Sequence, residues 1–105
     1  MSSWKEVVAL DDIPVLGSRV FRTNEQDIAI FRTSDDRVFA VHNSCPHKGG
    51  FLSEGIVHGH KVTCPLHNWV INLEDGEAQG PDEGNAACFE TKVESGVVYI
   101  NLSAT

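Results

Sequence analysis

One pattern constrains this chain more than any other. Cys45-Pro46-His47 is followed by Cys64-Pro65-Leu66-His67, together C-x-H-x16-C-x2-H. Each half supplies one thiolate and one imidazole. Either half alone is commonplace, and reads as a buried thiol near a surface imidazole. Two such pairs at this separation, each with proline directly after the cysteine, read as a ligand set. Two sulfur and two nitrogen donors from two loops suit a tetrahedral zinc ion or a mixed-ligand [2Fe–2S] cluster.

The flanks separate these alternatives. Zinc knuckles usually open with C-x2–4-C, which puts two thiolates on one turn, and this chain has no such pair. Here each loop carries one Cys and one His. A cluster with two thiolates on one iron and two imidazoles on the other needs that division. Gly49-Gly50 lets the first loop bend, because glycine reaches positive φ without steric cost. Pro46 and Pro65 lack an N–H and fix loop shape without adding a donor.

The runs Cys45-Pro46-His47-Lys48-Gly49-Gly50 and Cys64-Pro65-Leu66-His67-Asn68-Trp69 resemble those of the Rieske ferredoxin family. The stretch from Asn72 to Gly84, NLEDGEAQGPDEG, is similar to the small subunit of bacterial assimilatory NAD(P)H-dependent nitrite reductase. The resemblance spans Trp4 to Leu102. It implies a Rieske [2Fe–2S] cluster, with Cys45 and Cys64 on one iron and His47 and His67 on the other through Nδ1. It also implies a large partner subunit carrying FAD, a [4Fe–4S] cluster and sirohaem. Some members of that subunit family have lost the ligands; this chain keeps all four.

The resemblance also bears on potential. High-potential Rieske proteins have an extra cysteine in each ligand loop, joined as a disulfide, and hydroxyl donors to the cluster and cysteine sulfur. The corresponding residues here are Gly50 and Leu66, then Trp69 and Ile71. Without those donors the low end of the Rieske range is expected, about −150 mV.

At 105 residues the chain is one domain, residues 1–105, with a modest core that a cluster tying two loops together would stabilise. The formal net charge of −7, with no basic patch, argues against nucleic-acid binding. It suits docking onto a basic surface of a redox partner. Asp82 and Glu83 are candidates for such steering. The N-terminus lacks a basic start and an apolar run, and no stretch approaches a membrane span of about 20 apolar residues. A cytoplasmic location is expected. Of three cysteines two are candidate ligands, so a disulfide framework is not expected.

Short apolar segments between turn signals, without a long helical period, predict an all-β fold. The expected strands are 4–8, 19–22, 27–32, 38–41, 61–63, 69–72, 87–93 and 97–101, with a further one near Ala78. The expected architecture is a Rieske-type antiparallel sandwich with a small cluster-binding subdomain, about 43–84, inserted between strands of the larger sheet. His42, His58 and His60 read as surface histidines, with 58–60 in a loop. Cys88 reads as a small buried hydrophobe. Phe51 and Trp69 read as packing residues shielding the cluster.

Three functions fit. The first is the electron-carrying small subunit of nitrite reductase, with no catalytic residues of its own and no G-x-G-x-x-G dinucleotide site. The second is a stand-alone Rieske ferredoxin for an aromatic-ring dioxygenase. The third is a zinc-stabilised binding module.

Overall fold

A computed structural model describes residues 4–23, 27–43, 51–64, 70–78 and 88–101. The described strands are β1 (Trp4–Ala9), β2 (Ser18–Arg22), β3 (Asp27–Arg32), β4 (Val38–His42), β5 (Ile56–His58), β6 (Lys61–Thr63), β7 (Val70–Asn72), β8 (Cys88–Glu94) and β9 (Val97–Asn101). Two single-turn 3-10 helices, Leu10–Asp12 and Leu52–Glu54, complete the regular elements. Six strands form one sheet in the order β1-β9-β8-β4-β3-β2, and β5-β6-β7 form a second. Every strand pairing is antiparallel.

The apolar run of β3 explains how the two sheets are stacked. Ile28, Ala29, Ile30 and Phe31 are all buried. A strand with one wet face would alternate; a continuous buried run needs cover on both faces. Ile28 and Ile30 pack with Ile13, Val38, Ala40, Phe89, Val98 and Ile100 inside the curl of the six-stranded sheet. Ala29 and Phe31 point the other way and join Leu52, Val57, Val62, Ile71 and Leu73 of the second sheet and its approach. β4 divides likewise, Val38 and Ala40 to the first core, Val41 to the second.

Polar contacts close the curl. Ile13 is fully buried after the first 3-10 turn. Arg32 Nη1 donates to the carbonyls of Leu10 and Ile13 at 3.2 and 3.0 Å. Its other nitrogens hold Asp36 Oδ1, at 2.8 Å from Nη2. In the β8–β9 hairpin Ser95 and Gly96 both take positive φ, 52° and 76°, as a type I′ turn requires.

The expected strands are present, with ends shifted by a residue or so. The proposed strand near Ala78 is an isolated bridge between Ala78 and Ile71. Two features depart from the sequence reading. Residues 56–58 form β5, so His58 ends a strand rather than lying in a loop. The segment after β1, read as a turn, includes a 3-10 helix. Among the described residues no helix is long and apolar enough to cross a membrane.

Candidate metal centre

Of the four expected ligands, Cys64 is described; Cys45, His47 and His67 lie outside the described residues. So do Gly50, Leu66, Trp69, Asp82 and Glu83. What the structure gives is the footing of both ligand loops.

The second loop leaves β6 and returns as β7. Its mouth is closed by the antiparallel pair Thr63 and Val70. Cys64 follows Thr63 directly and is 0% exposed, in the same apolar cluster as Leu52, Val62 and Ile71. The first loop follows β4, and the described residues resume at Phe51. Its mouth is fastened by Ser53 N donating to Asn43 Oδ1 at 2.8 Å, and Asn43 N donates to Asp27 O. Asn43 is 6% exposed, so this bond also satisfies a buried amide.

The two footings are packed against each other. Gly55, which ends the 3-10 turn after the first loop, approaches β6 so closely that a side chain has no room. A Cβ there would run into Thr63 O and would meet Val62 Cγ2 at 2.8 Å. Leu52 is fully buried beside Cys64 in the shared cluster. The residues that bracket 44–50 and 65–69 therefore stand side by side.

This arrangement fits the expected donor set. A buried cysteine at the root of one loop sits beside the root of the other, in surroundings that exclude water. Cys45, His47 and His67 are all borne on those two loops. Ile71, where the resemblance places a hydroxyl donor in high-potential relatives, is a fully buried isoleucine in the same cluster as Cys64.

The remaining candidates fall elsewhere. Phe51, expected to pack over the cluster, is 55% exposed at the loop root and belongs to neither apolar core. Cys88 opposes Val41 across β4 and β8 and is half-buried against the Cys64 cluster. Burial pushes its thiol pKa up, and the negative charge of Asp75 adds to this. His58 is exposed, with Nε2 2.7 Å from Thr63 Oγ1.

His60, an ordinary surface residue by sequence, joins three chain segments. Nε2 lies 3.0 Å from Asp35 Oδ2, in the β3–β4 turn. Nδ1 lies 3.8 Å from Glu74 Oε1, just after β7. Its ring tilts against Phe39 at 5.3 Å between centroids. The Thr33 hydroxyl, and then His60, hold the Asp35 carboxyl down at about 2. Spacing cannot reveal this cluster, because Asp35, His60 and Glu74 come together only when the sheets stack. Among the described residues no group of three or more His, Cys, Asp or Glu side chains could hold a metal ion.

The pattern of the Rieske-like [2Fe-2S] domain matches residues 3–101, and the chain belongs to that family. It is an electron-transfer domain with a Rieske-type [2Fe–2S] cluster, and the zinc alternative falls away. The chain is 34% identical to the nitrite reductase (NADH) small subunit of Escherichia coli (strain K12), over 95% of this chain and 98% of that one. It is 32% identical to the ferredoxin component of the naphthalene 1,2-dioxygenase system of Pseudomonas putida, over 95% and 96%. In fold it superposes on a putative NADH-dependent nitrite reductase small subunit from Mycobacterium tuberculosis with a TM-score of 0.88, covering 100% and 99% of the two chains at 23% identity.

Proposed function

We propose that this chain is the electron-carrying small subunit of an NAD(P)H-dependent assimilatory nitrite reductase. Cys45, His47, Cys64 and His67 are its cluster ligands, and residues 43–84 form the subdomain that presents them on a single domain, 1–105. The observation that carries the ligand assignment is the contact of the two loop roots around buried Cys64.

When bound, the cluster supplies one-electron transfer. Two ferric ions, two sulfides and two thiolates sum to zero charge, so imidazole ligation makes the added electron easier to hold than four thiolates would. The chain's own residues do the rest. Leu52, Val62 and Ile71 keep water from the Cys64 side. The Asn43–Ser53 and Thr63–Val70 closures fix both loop mouths. The Asn72 to Gly84 run, together with the likeness to the E. coli subunit, supports nitrite reductase. On this reading the partner is a large subunit with FAD, a [4Fe–4S] cluster and sirohaem, and the location is cytoplasmic.

The second reading, a ferredoxin for an aromatic-ring dioxygenase, is supported by the comparable likeness to the naphthalene dioxygenase ferredoxin component. Reconstitution decides between them. The holo-protein, mixed with a nitrite reductase large subunit from the same organism, should restore nitrite-dependent NAD(P)H oxidation and co-elute with it. Failure there, with electron delivery to a ring-hydroxylating oxygenase instead, would establish the second reading.

A further inference from the structure

Between β2, an edge strand of the six-stranded sheet, and the root of the first ligand loop lies a groove of about 190 Å³. Val20 and Phe51 are its apolar residues; Arg22, Asp27, Asn43, Ser53 and Glu54 are its polar ones. Val20 is 38% and Phe51 55% exposed, so neither is used up by the core. Val20 pairs with Ala29 and shares its face of the sheet, the face that carries the second sheet. On the same face Ser18 Oγ donates to Ser53 O at 2.8 Å, which holds the edge strand to the loop root. The two sides of the groove are therefore fixed relative to each other. Asn43 and Phe51 are the described residues that flank 44–50, the segment carrying Cys45 and His47.

The groove is smaller than the roughly 300–1,000 Å³ of a cofactor or metabolite site, but it accommodates one bulky side chain. Its charges are unbalanced. Arg22 Nε lies 3.9 Å from Asp27 Oδ2, so those two offset each other. Glu54 makes no ion pair among the described residues and is exposed. The chain as a whole carries −7. A cation is the complement to this rim.

We propose that this groove docks the electron-exchanging partner protein through an extended segment bearing one bulky apolar side chain beside a lysine or arginine. The apolar side chain packs between Val20 and Phe51, and the cation meets Glu54. Among the described residues β2 has no strand on its outer side, and such an edge offers main-chain groups to an added segment. The contact lies at the root of a ligand loop, so docking also brings the partner near the cluster. This inference rests on the nitrite reductase reading for the identity of the partner.

The test uses the holo-protein and the nitrite reductase large subunit. Val20→Glu and Glu54→Lys are compared with wild type and with Val93→Glu. Val93 is an exposed valine on β8, which runs from Val41 past Val38 and so carries it away from Asn43. Each groove variant should weaken the dissociation constant about tenfold or more, as loss of an interface anchor does. The cluster's visible spectrum and midpoint should stay those of wild type, and Val93→Glu should bind normally. Glu54→Lys changes an exposed side chain, so it tests the groove even if Val20→Glu disturbs the strand. Normal binding by Glu54→Lys and by any folded Val20→Glu overturns the groove while leaving the subunit assignment intact. If wild type does not bind the large subunit, the assignment fails and the groove's occupant with it.

Discussion

Cys64 and Cys88 share one apolar cluster, yet only Cys64 is proposed as a ligand. Cys64 is at the root of a ligand loop; Cys88 is in a strand, across from Val41. The raised pKa of Cys88 keeps its thiol protonated at neutral pH, and a thiol is a poor metal ligand. Cys64→Ser should therefore abolish the visible absorption and the roughly two irons per chain that the cluster type requires. Cys88→Ala should retain both, by metal analysis. Ile71 sets a second expectation. A buried isoleucine offers the cluster no O–H, so a redox titration at neutral pH should place the midpoint near −150 mV, the low end for this cluster type. A value well above zero would show that other groups supply the missing donors.

At the scale of elements, the His60 cluster ties the six-stranded sheet to the three-stranded one. Asp35 sits in a turn of the first, His60 in the β5–β6 turn of the second. The Asp35 carboxyl is lowered to about 2 from an ordinary 3.8, by the Thr33 hydroxyl first and His60 second. A depressed carboxylate stabilises the fold above its unfolded value, and the contribution is lost as pH falls through the folded one. Asp35→Asn should thus melt below wild type at pH 6, and the gap should close between about pH 4 and pH 2. A gap that stays constant with pH would assign the loss to packing alone. None of this was legible in the chain's order, since the contact belongs to the stacking of the sheets. β5 escaped for a different reason. In Ile56-Val57-His58 the isoleucine is exposed and the valine buried, so residue type does not show the alternation that the strand has. The longer strands β3, β4 and β9 were legible because their β-branched and aromatic runs are bounded by turns. The ligand pattern was legible because its chemistry lies in residue type and spacing. The exposure of Phe51 and the Gly55 contact required the packing of the loop roots.

For the whole molecule, the negative charge should speed encounter with a basic partner, an effect that weakens as ions screen it. Stopped-flow association with the large subunit should slow as salt rises from about 0.01 to 0.15 M, over which the Debye length shrinks from about 30 to 8 Å. A rate independent of salt would mean that the net charge serves only solubility. The two cores differ in their dependence on the cluster region. Among the described residues, the core inside the six-stranded sheet takes none from 43–84, whereas the second core takes Leu52, Val57, Val62, Cys64, Ile71 and Leu73. Chelation of iron should therefore leave a folded chain. Circular dichroism should retain the β signal and a cooperative melt, at a lower temperature than the holo-protein. Loss of all structure with the metal would show that the first core cannot stand alone.

The closures at the loop mouths have a consequence for the cell. Neither the Asn43–Ser53 bond nor the Thr63–Val70 pair involves an expected ligand, so neither needs the metal to form. Newly made chains awaiting their cluster would already have the shape that a partner recognises. Such chains would act as decoys, occupying the partner while passing no current. Activity under iron shortage would then fall more steeply than the number of loaded subunits. Titrating iron-free chain into a reconstituted assay at fixed holo-protein should show this as competitive inhibition.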